Sequence, residues 1–388
     1  MHSVTPSVDG LSALPTLAIY LPDLSGGGTE RLHLGLSRLF APHGIVPRFL
    51  IDQWAGTLIE EVPREIPIET LQARRQLDAL PKLIRYLRGT PPDVLIVNME
   101  HMAVMAIAAR LVARAPTRII VTQHNSLAQQ LRKQGWQWRL LPPLFRWALR
   151  RADAVVCVSH GVADELVMLT GIARSGTDVI YNGVVGEEFL DAAQQNIDDP
   201  LCPATDEPMI VAIGRFVPQK DFVTLISAFG LLVKTRPARL VILGEGPQRA
   251  KLEAMVASLG LRDCVYLPGF STQAPAWLAR ADLFVLSSLY EGFGIVVAEA
   301  LAVGTQVVST DCPHGPAEIL EQGRHGRLVR PGDVGALAEA MAHALATPDD
   351  PVSRAARIDR GRGFSLAKCA AEYAALVHRL AGKEARSA

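Results

Sequence analysis

Two glutamates, two cations and several glycine-rich turns carry the chemistry this sequence could perform. Glu291-Gly292-Phe293-Gly294 follows the apolar run Leu283–Leu286 and leads into Ile295–Val303, which reads as a helix. Gly292 and Gly294 permit close approach of backbone to a ligand around Phe293. Glu299 falls about one turn inside that helix, among Val297, Ala298, Ala300 and Leu301. A carboxylate there is costly unless something hydrogen-bonds to it. A ribose diol would serve; so would the protein's own backbone. Glu291 and Glu299 lie too far apart along the chain to act on one atom, so paired acid–base hydrolysis is not implied.

Upstream, Gly214-Arg215-Phe216-Val217-Pro218-Gln219-Lys220-Asp221 follows the run Met209–Ile213. Arg binds phosphate oxygens bidentately and Lys supplies a compact charge, although the pair could equally be solvated surface cations. Downstream, Asp311-Cys312-Pro313-His314-Gly315-Pro316 turns into a helix and forms a second potential anion seat. Near the start, Ser25-Gly26-Gly27-Gly28 makes a strand-to-helix turn, which is either a phosphate approach or merely a tight turn. Neither GxGxxG nor GxxxxGK[ST] occurs. The missing GxxxxGK[ST] leaves a Walker-type ATPase unsupported, and in Gly244-Glu245-Gly246 the third glycine is replaced by Arg249, which argues further against a nicotinamide site.

Positioning such groups needs strands with loops at their carboxyl ends. Thr16–Leu21, Asp93–Val97, Arg118–Thr122 and Ala154–Ser159 are continuous apolar runs, separated by segments such as Glu30–Phe40 and Leu77–Leu87 with helical spacing. Met209–Ile213, Arg239–Leu243, Cys264–Leu267, Leu283–Leu286 and Gln306–Ser309 repeat the pattern. Apolar strands without alternation imply parallel sheets covered on both faces. Asp191–Pro208, with three prolines and no periodicity, has linker composition. The expectation is an α/β protein of two doubly wound domains, 1–190 and 205–364. A last helix within 365–388 packs back on the first domain, and ligand binds in the cleft the domains face.

The 388 residues fit that division, and 39 basic against 39 acidic residues give zero formal charge. That balance excludes a uniformly basic nucleic-acid binder and a disordered acidic chain. Mean hydropathy is +0.20, yet one of the longest apolar runs, Met102–Ala109, stops at Arg110. No membrane span is expected, because a span needs about 20 apolar residues. No basic residue precedes Arg31, so no secretory signal is expected and the chain is placed in the cytoplasm. Cys157, Cys202, Cys264, Cys312 and Cys369 lack close metal-ligand spacing and read as buried, reduced thiols.

Glu291 and Glu299 form an E-x7-E motif. With GRFVPQK upstream and HGPAEI downstream, the second half resembles the donor domain of retaining GT-B glycosyltransferases, family four (group 1) type. The resemblance extends through SGGGTER, TQHN at 122–125, VSHGVADEL at 158–166 and VIYNGV at 179–184, and so covers most of the chain. It implies two Rossmann-like domains and a UDP- or GDP-sugar donor held by the second. Gly214, Arg215, Lys220 and the Gly292-Phe293-Gly294 turn would hold the diphosphate, and Glu299 the ribose hydroxyls. Glu291 and Gly315 would lie near the donor sugar, and Gly27 and Gly28 would approach from the opposing domain. His124 matches the family's histidine at the reacting sugar. His124, Arg215, Lys220 and Glu291 are thus the implied catalytic set. A lone histidine in such a place can also be purely structural.

Breaking an anomeric C–O bond puts charge on the departing diphosphate, which pre-placed cations and helix dipoles stabilise. No DxD occurs in the sequence, so no metal or other cofactor is expected and transfer is expected to be metal-independent; the resemblance implies retention. Two positions depart from the family pattern: Asp221 stands where Gly usually follows the donor-site Lys, and Val185 where Asp usually follows NGV.

The acceptor side has its own signature. His101–Ala152 carries nine basic residues (Arg110, Arg114, Arg118, Arg132, Lys133, Arg139, Arg146, Arg150, Arg151), no Asp or Glu, and Trp136, Trp138 and Trp147. Cations with interfacial aromatics suit an anionic membrane surface through 110–151, or simply a solvated basic face. No RNA-binding motif accompanies them. The resemblance implies a saccharide or lipid-linked saccharide acceptor, in surface polysaccharide synthesis. A GT-B sugar-nucleotide epimerase and a non-catalytic saccharide- or lipid-binding relative remain as alternatives.

Overall fold

The structure, a computed structural model, describes residues 14–73, 76–133, 141–197 and 207–382. The chain forms two compact units: residues up to Gly183 together with those from Leu366, and Val184–Ser365.

The first unit is built on a parallel sheet of β1 (Thr16–Leu21), β2 (Val46–Ile51), β3 (Ile68–Thr70), β4 (Val94–Val97), β5 (Arg118–Gln123), β6 (Ala154–Cys157) and β7 (Thr177–Val179), in the order β3-β2-β1-β4-β5-β6-β7. The second carries β8 (Met209–Ile213), β9 (Arg239–Leu243), β10 (Val265–Gly269), β11 (Leu283–Leu286), β12 (Gln306–Thr310) and β13 (Arg327–Val329), in the order β10-β9-β8-β11-β12-β13, again all parallel. Each sheet reverses direction beside its first strand, between β1 and β4 and between β8 and β11. Doubly wound folds bind ligands outside the carboxyl edge at such a switch point.

Helices cover both faces. In the first unit Ile19, Ile96 and Ile120 share a core with Cys369, Tyr373 and Val377 of helix Leu366–Ala381. In the second, Ile210, Ile242 and Val285 pack with Phe229 of helix Phe222–Leu232 and Met341 of helix Val334–Ala346. Cys157, Cys312 and Cys369 are buried free thiols; Cys264 is only partly covered, and Cys202 lies outside the described residues.

Several boundaries differ from expectation for identifiable reasons. Strand β6 stops at Cys157 because Ser159 turns to cap helix His160–Thr170, accepting a hydrogen bond from Val162 N at 3.2 Å. Strand β2 is not obvious in sequence because Pro47 and Arg48 interrupt its apolar pattern. Strands β3, β7 and β13 have three residues each, too few to show a pattern. The first unit ends at Gly183, not near residue 190. Helix Glu187–Gln194 packs instead against helix Ala274–Arg280 of the second unit, and Gln273 Nε2 and Arg280 bond to Asn196. Among the described residues no helix is long and apolar enough to cross a membrane.

Candidate functional site

Two loops at the strand-order switch of the second sheet are zipped together. After β8 the chain runs through Gly214 and Arg215 into the short 3-10 turn Pro218–Lys220. After β11 it runs through Ser287 and Ser288 to Glu291. Leu289 N donates to Gln219 O at 2.8 Å, Gln219 Nε2 to Tyr290 O at 2.9 Å, and Ser287 Oγ to Lys220 O at 2.7 Å. This brings Lys220 Nζ to 2.6 Å from Glu291 Oε1, an oxygen that also accepts from Ser288 Oγ at 2.6 Å. The two side chains are 19% and 9% exposed, so the ion pair is shielded from bulk water. Arg215 is exposed, and its guanidinium has no ion pair or hydrogen bond among the described residues.

Asp221 has φ +45°, which explains why glycine would suit this position. Its carboxylate is turned away into the helix that follows, accepting from Thr224 Oγ1 at 2.6 Å and Thr224 N at 3.4 Å. The departure therefore acts as an N-cap. The second departure, Val185, is buried and donates its N–H to Phe364 O at 3.3 Å.

The Glu291 backbone interlocks with the next turn: Glu291 N donates to Pro313 O at 2.6 Å and His314 N to Glu291 O at 2.8 Å. Gly294, at φ +93°, caps helix Ile295–Ala302, and no side chain caps its first turn. Gly315, at φ +100°, lies so close to Phe293 that a Cβ there would stand 2.0 Å from its carbonyl oxygen. The Phe293 ring is itself buried, edge-on to Phe364 at 5.4 Å. Its expected part in ligand binding therefore falls to its backbone.

Glu299 is partly covered and has no hydrogen-bond partner for its carboxylate among the described residues. Burial pushes its carboxyl up to about 7. A raised carboxyl binds its proton more tightly folded than unfolded, so stability falls as pH rises from about 4.5 to about 7. Glu299→Gln is expected to flatten that stretch of the melting-temperature profile. An unchanged profile in thermal melts would refute the assignment.

In the first unit, Gly26 (φ +95°) and Gly27 lead into helix Gly28–Phe40, whose first turn also lacks a side-chain cap. The turn is braced by Leu24 N donating to Ala55 O at 2.9 Å and Leu58 N to Leu24 O at 3.0 Å. His124, just beyond β5, stands 5.9 Å centroid to centroid from His33, with Asn98 between them. Reading the sequence did not single out His33 or Asn98. Asn98 directly follows β4 and could have been found by its place at a carboxyl end; His33 shows no such mark.

The basic stretch is partly neutralised. Asp153, one residue beyond it, pairs with Arg110 and with Arg118. Arg114, Arg146, Arg150 and Arg151 are exposed, and Arg151 lies 5.0 Å over the Trp147 ring. Trp136, Trp138 and Arg139 lie outside the described residues, as do the side chains of Arg132 and Lys133. Among the described residues no three His, Cys, Asp or Glu side chains gather as metal ligands.

Comparison with known proteins matches residues 26–187 to the family described as Glycosyltransferase Family 4 and residues 193–362 to Glycosyl transferases group 1. The chain is 32% identical over 324 residues to the lipopolysaccharide core biosynthesis glycosyltransferase LpsE of Rhizobium meliloti, covering 82% of this chain and 86% of that one. It is 34% identical over 263 residues to the exopolysaccharide phosphotransferase SCO2592 of Streptomyces coelicolor, covering 67% of this chain but only 26% of the relative's length. Among solved structures, Anabaena Alr3699/HepE in complex with UDP superposes with TM-score 0.76 at 20% identity, covering 94% of this chain and 100% of that one. The two parallel-sheet units and this likeness give the GT-B fold.

Proposed function

The chain belongs to the group 1 and family four glycosyltransferases, and from that premise we propose that it is a retaining, metal-independent enzyme moving a hexosyl group from a UDP- or GDP-sugar. The acceptor is a saccharide or lipid-linked saccharide in bacterial surface polysaccharide synthesis. The observation that carries this reading is the shielded Lys220–Glu291 pair beside the unpaired Arg215. In the reaction, the anomeric C–O bond breaks and negative charge develops on the departing diphosphate. Arg215 and Lys220 stabilise that charge together with the uncapped helix at Gly294. Lys220 exchanges Glu291 for phosphate, which frees the Glu291 carboxylate to accept from a sugar hydroxyl. The acceptor hydroxyl forms the new C–O bond on the leaving-group face, and its proton passes to a diphosphate oxygen.

Glu299 accepts from the ribose hydroxyls, which supply the hydrogen bonds its carboxylate lacks and favour its charged form. We assign acceptor binding to the first unit, and to its His124 contact with the sugar being transferred. LpsE by its name acts in lipopolysaccharide core synthesis, and Alr3699/HepE binds UDP; both support this donor and acceptor class. Incubation with individual UDP- and GDP-sugars and a lipid extract tests the reading. Transfer is expected. Isomerisation of the donor alone would make the protein an epimerase, and neither reaction a binding relative.

Peripheral membrane binding is part of the proposal. Helices Glu100–Ala113, Leu141–Leu149 and His160–Thr170 pack side by side. They expose Leu111, Val112, Leu144 and Met168 at 48–74%, alongside Arg114, Arg146 and Arg150. Apolar residues interspersed with cations suit an anionic bilayer surface. The protein is expected to co-float with anionic liposomes at low salt and to be released at high salt. Protein left unbound at low salt would end this part of the reading.

A further inference from the structure

Three groups converge on one amide oxygen at the carboxyl edge of the first sheet. Asn98 is buried, and its Nδ2 donates to Tyr20 O at 3.3 Å. That bond orients the amide, because the flipped amide would set two oxygens against each other. Asn98 Oδ1 therefore faces His33 Nε2 at 2.5 Å, Thr122 Oγ1 at 2.7 Å and His124 Nε2 at 3.0 Å. An amide oxygen only accepts, so the rings facing it donate from Nε2; Thr122 Oγ1, 3.2 Å from His124 Nε2, gives its single hydrogen to Asn98 Oδ1 or to Val97 O at 3.1 Å and toward that ring only accepts.

Burial holds His33 down to about 4 and His124 down to about 3, the latter helped by the neighbouring His33. Both rings are thus neutral near pH 7, with one N–H each. His33 Nδ1 is enclosed without a partner. His124 is only partly buried, and its Nδ1 has no partner among the described residues. An enclosed, unsatisfied ring nitrogen destabilises the fold. The bond to Asn98 gives His33 a purpose.

We propose that Asn98, braced by His33, is a positioning residue that holds His124 in its Nε2–H tautomer and so presents Nδ1 as an acceptor for a saccharide hydroxyl. The inference rests on the part assigned to His124 in glycosyl transfer. It makes His124 a neutral acceptor, neither a cation nor a donor to phosphate. A substrate lacking that hydroxyl would leave Nδ1 unpaired and be discriminated against.

The test combines nitrogen NMR of histidine-labelled protein with steady-state kinetics. In the wild type, His33 and His124 are expected as neutral Nε2–H tautomers. Asn98→Ala is expected to redistribute the His124 tautomer and to lower kcat about ten- to hundred-fold by misplacing the ring, with donor KM unchanged. Asn98→Asp keeps an acceptor oxygen toward the rings at the loss of the bond to Tyr20 O, and is expected to keep hydrogen on His124 Nε2. Melting curves and the donor-induced thermal shift show whether either variant is folded. An Nδ1–H tautomer in the wild type, or an Asn98→Ala protein with unaltered tautomer and turnover, overturns the proposal. Should His124→Ala turn over at the wild-type rate, the positioning role falls together with the part assigned to His124. The tautomers and the donor-induced shift then show separately whether the hydrogen-bond geometry and the donor-site reading survive.

Discussion

Replacing Lys220 with Ala is expected to lower kcat/KM for transfer by about 10²- to 10³-fold, the effect of removing one preorganised donor aimed at developing charge. Lys220 is placed for that role by backbone bonds on both sides. Its carbonyl is held by Ser287 and its neighbour Gln219 is tied to Leu289 and Tyr290, which fixes the main chain from which the side chain reaches Glu291. The same substitution strands the Glu291 carboxylate, 9% exposed, with Ser288 as its remaining side-chain partner among the described residues. Stability should therefore fall by about 2 kcal/mol. The two effects separate in a double substitution. Lys220→Ala with Glu291→Ala removes the stranded charge and should regain much of the lost stability, while turnover stays low. Undiminished turnover of Lys220→Ala, at both saturating and low donor, would sink the assignment of the diphosphate site.

The second large effect is structural. Gly315→Ala places a methyl group 2.0 Å from Phe293 O and 2.5 Å from Phe293 Cα, at φ +100° and ψ −56°. Backbone strain and the forced displacement of the Phe293 turn together should destabilise the protein on the order of 4 kcal/mol. For a unit of this size that lowers the melting temperature by about 10 °C. Gly294→Ala is the internal comparison. Its φ of +93° and ψ of +54° lie in the left-handed region, a milder strain than at Gly315, and its Cβ would meet Pro316 Cγ at 3.5 Å, an ordinary contact. Strain alone then operates, and the loss should be only about 1–2 kcal/mol. Equal melting temperatures for the two variants would show that Phe293 yields without resistance and that the close approach is not a constraint.

Much of this was legible in the sequence, and the reasons are local. Strands β1, β8, β9 and β11 coincide with apolar runs read directly from the chain, because a strand covered on both faces must be apolar throughout. The turns at Gly27, Gly294 and Gly315 were visible because a residue without Cβ marks where backbone must come close. The short edge strands β3, β7 and β13 were not visible. Three residues carry too little pattern, and their pairing is decided by the neighbouring strand.

Residue types and spacing determined the division into two α/β units, the carboxyl-edge loops and the set of Arg215, Lys220, Glu291 and Glu299. Tertiary structure alone decided how those groups are paired. Two loops separated by about seventy residues of chain join Lys220 to Glu291, while Arg215 and Glu299 stay without partners among the described residues. It also decided that Asp153 answers Arg110 and Arg118, and that His33 and His124 meet at Asn98. Charge and hydrogen-bond partnership depend on separations of a few ångströms, which sequence distance does not encode. Burial then sets the protonation state: the desolvation that raises Glu299 and lowers His124 arises only when distant segments pack around them.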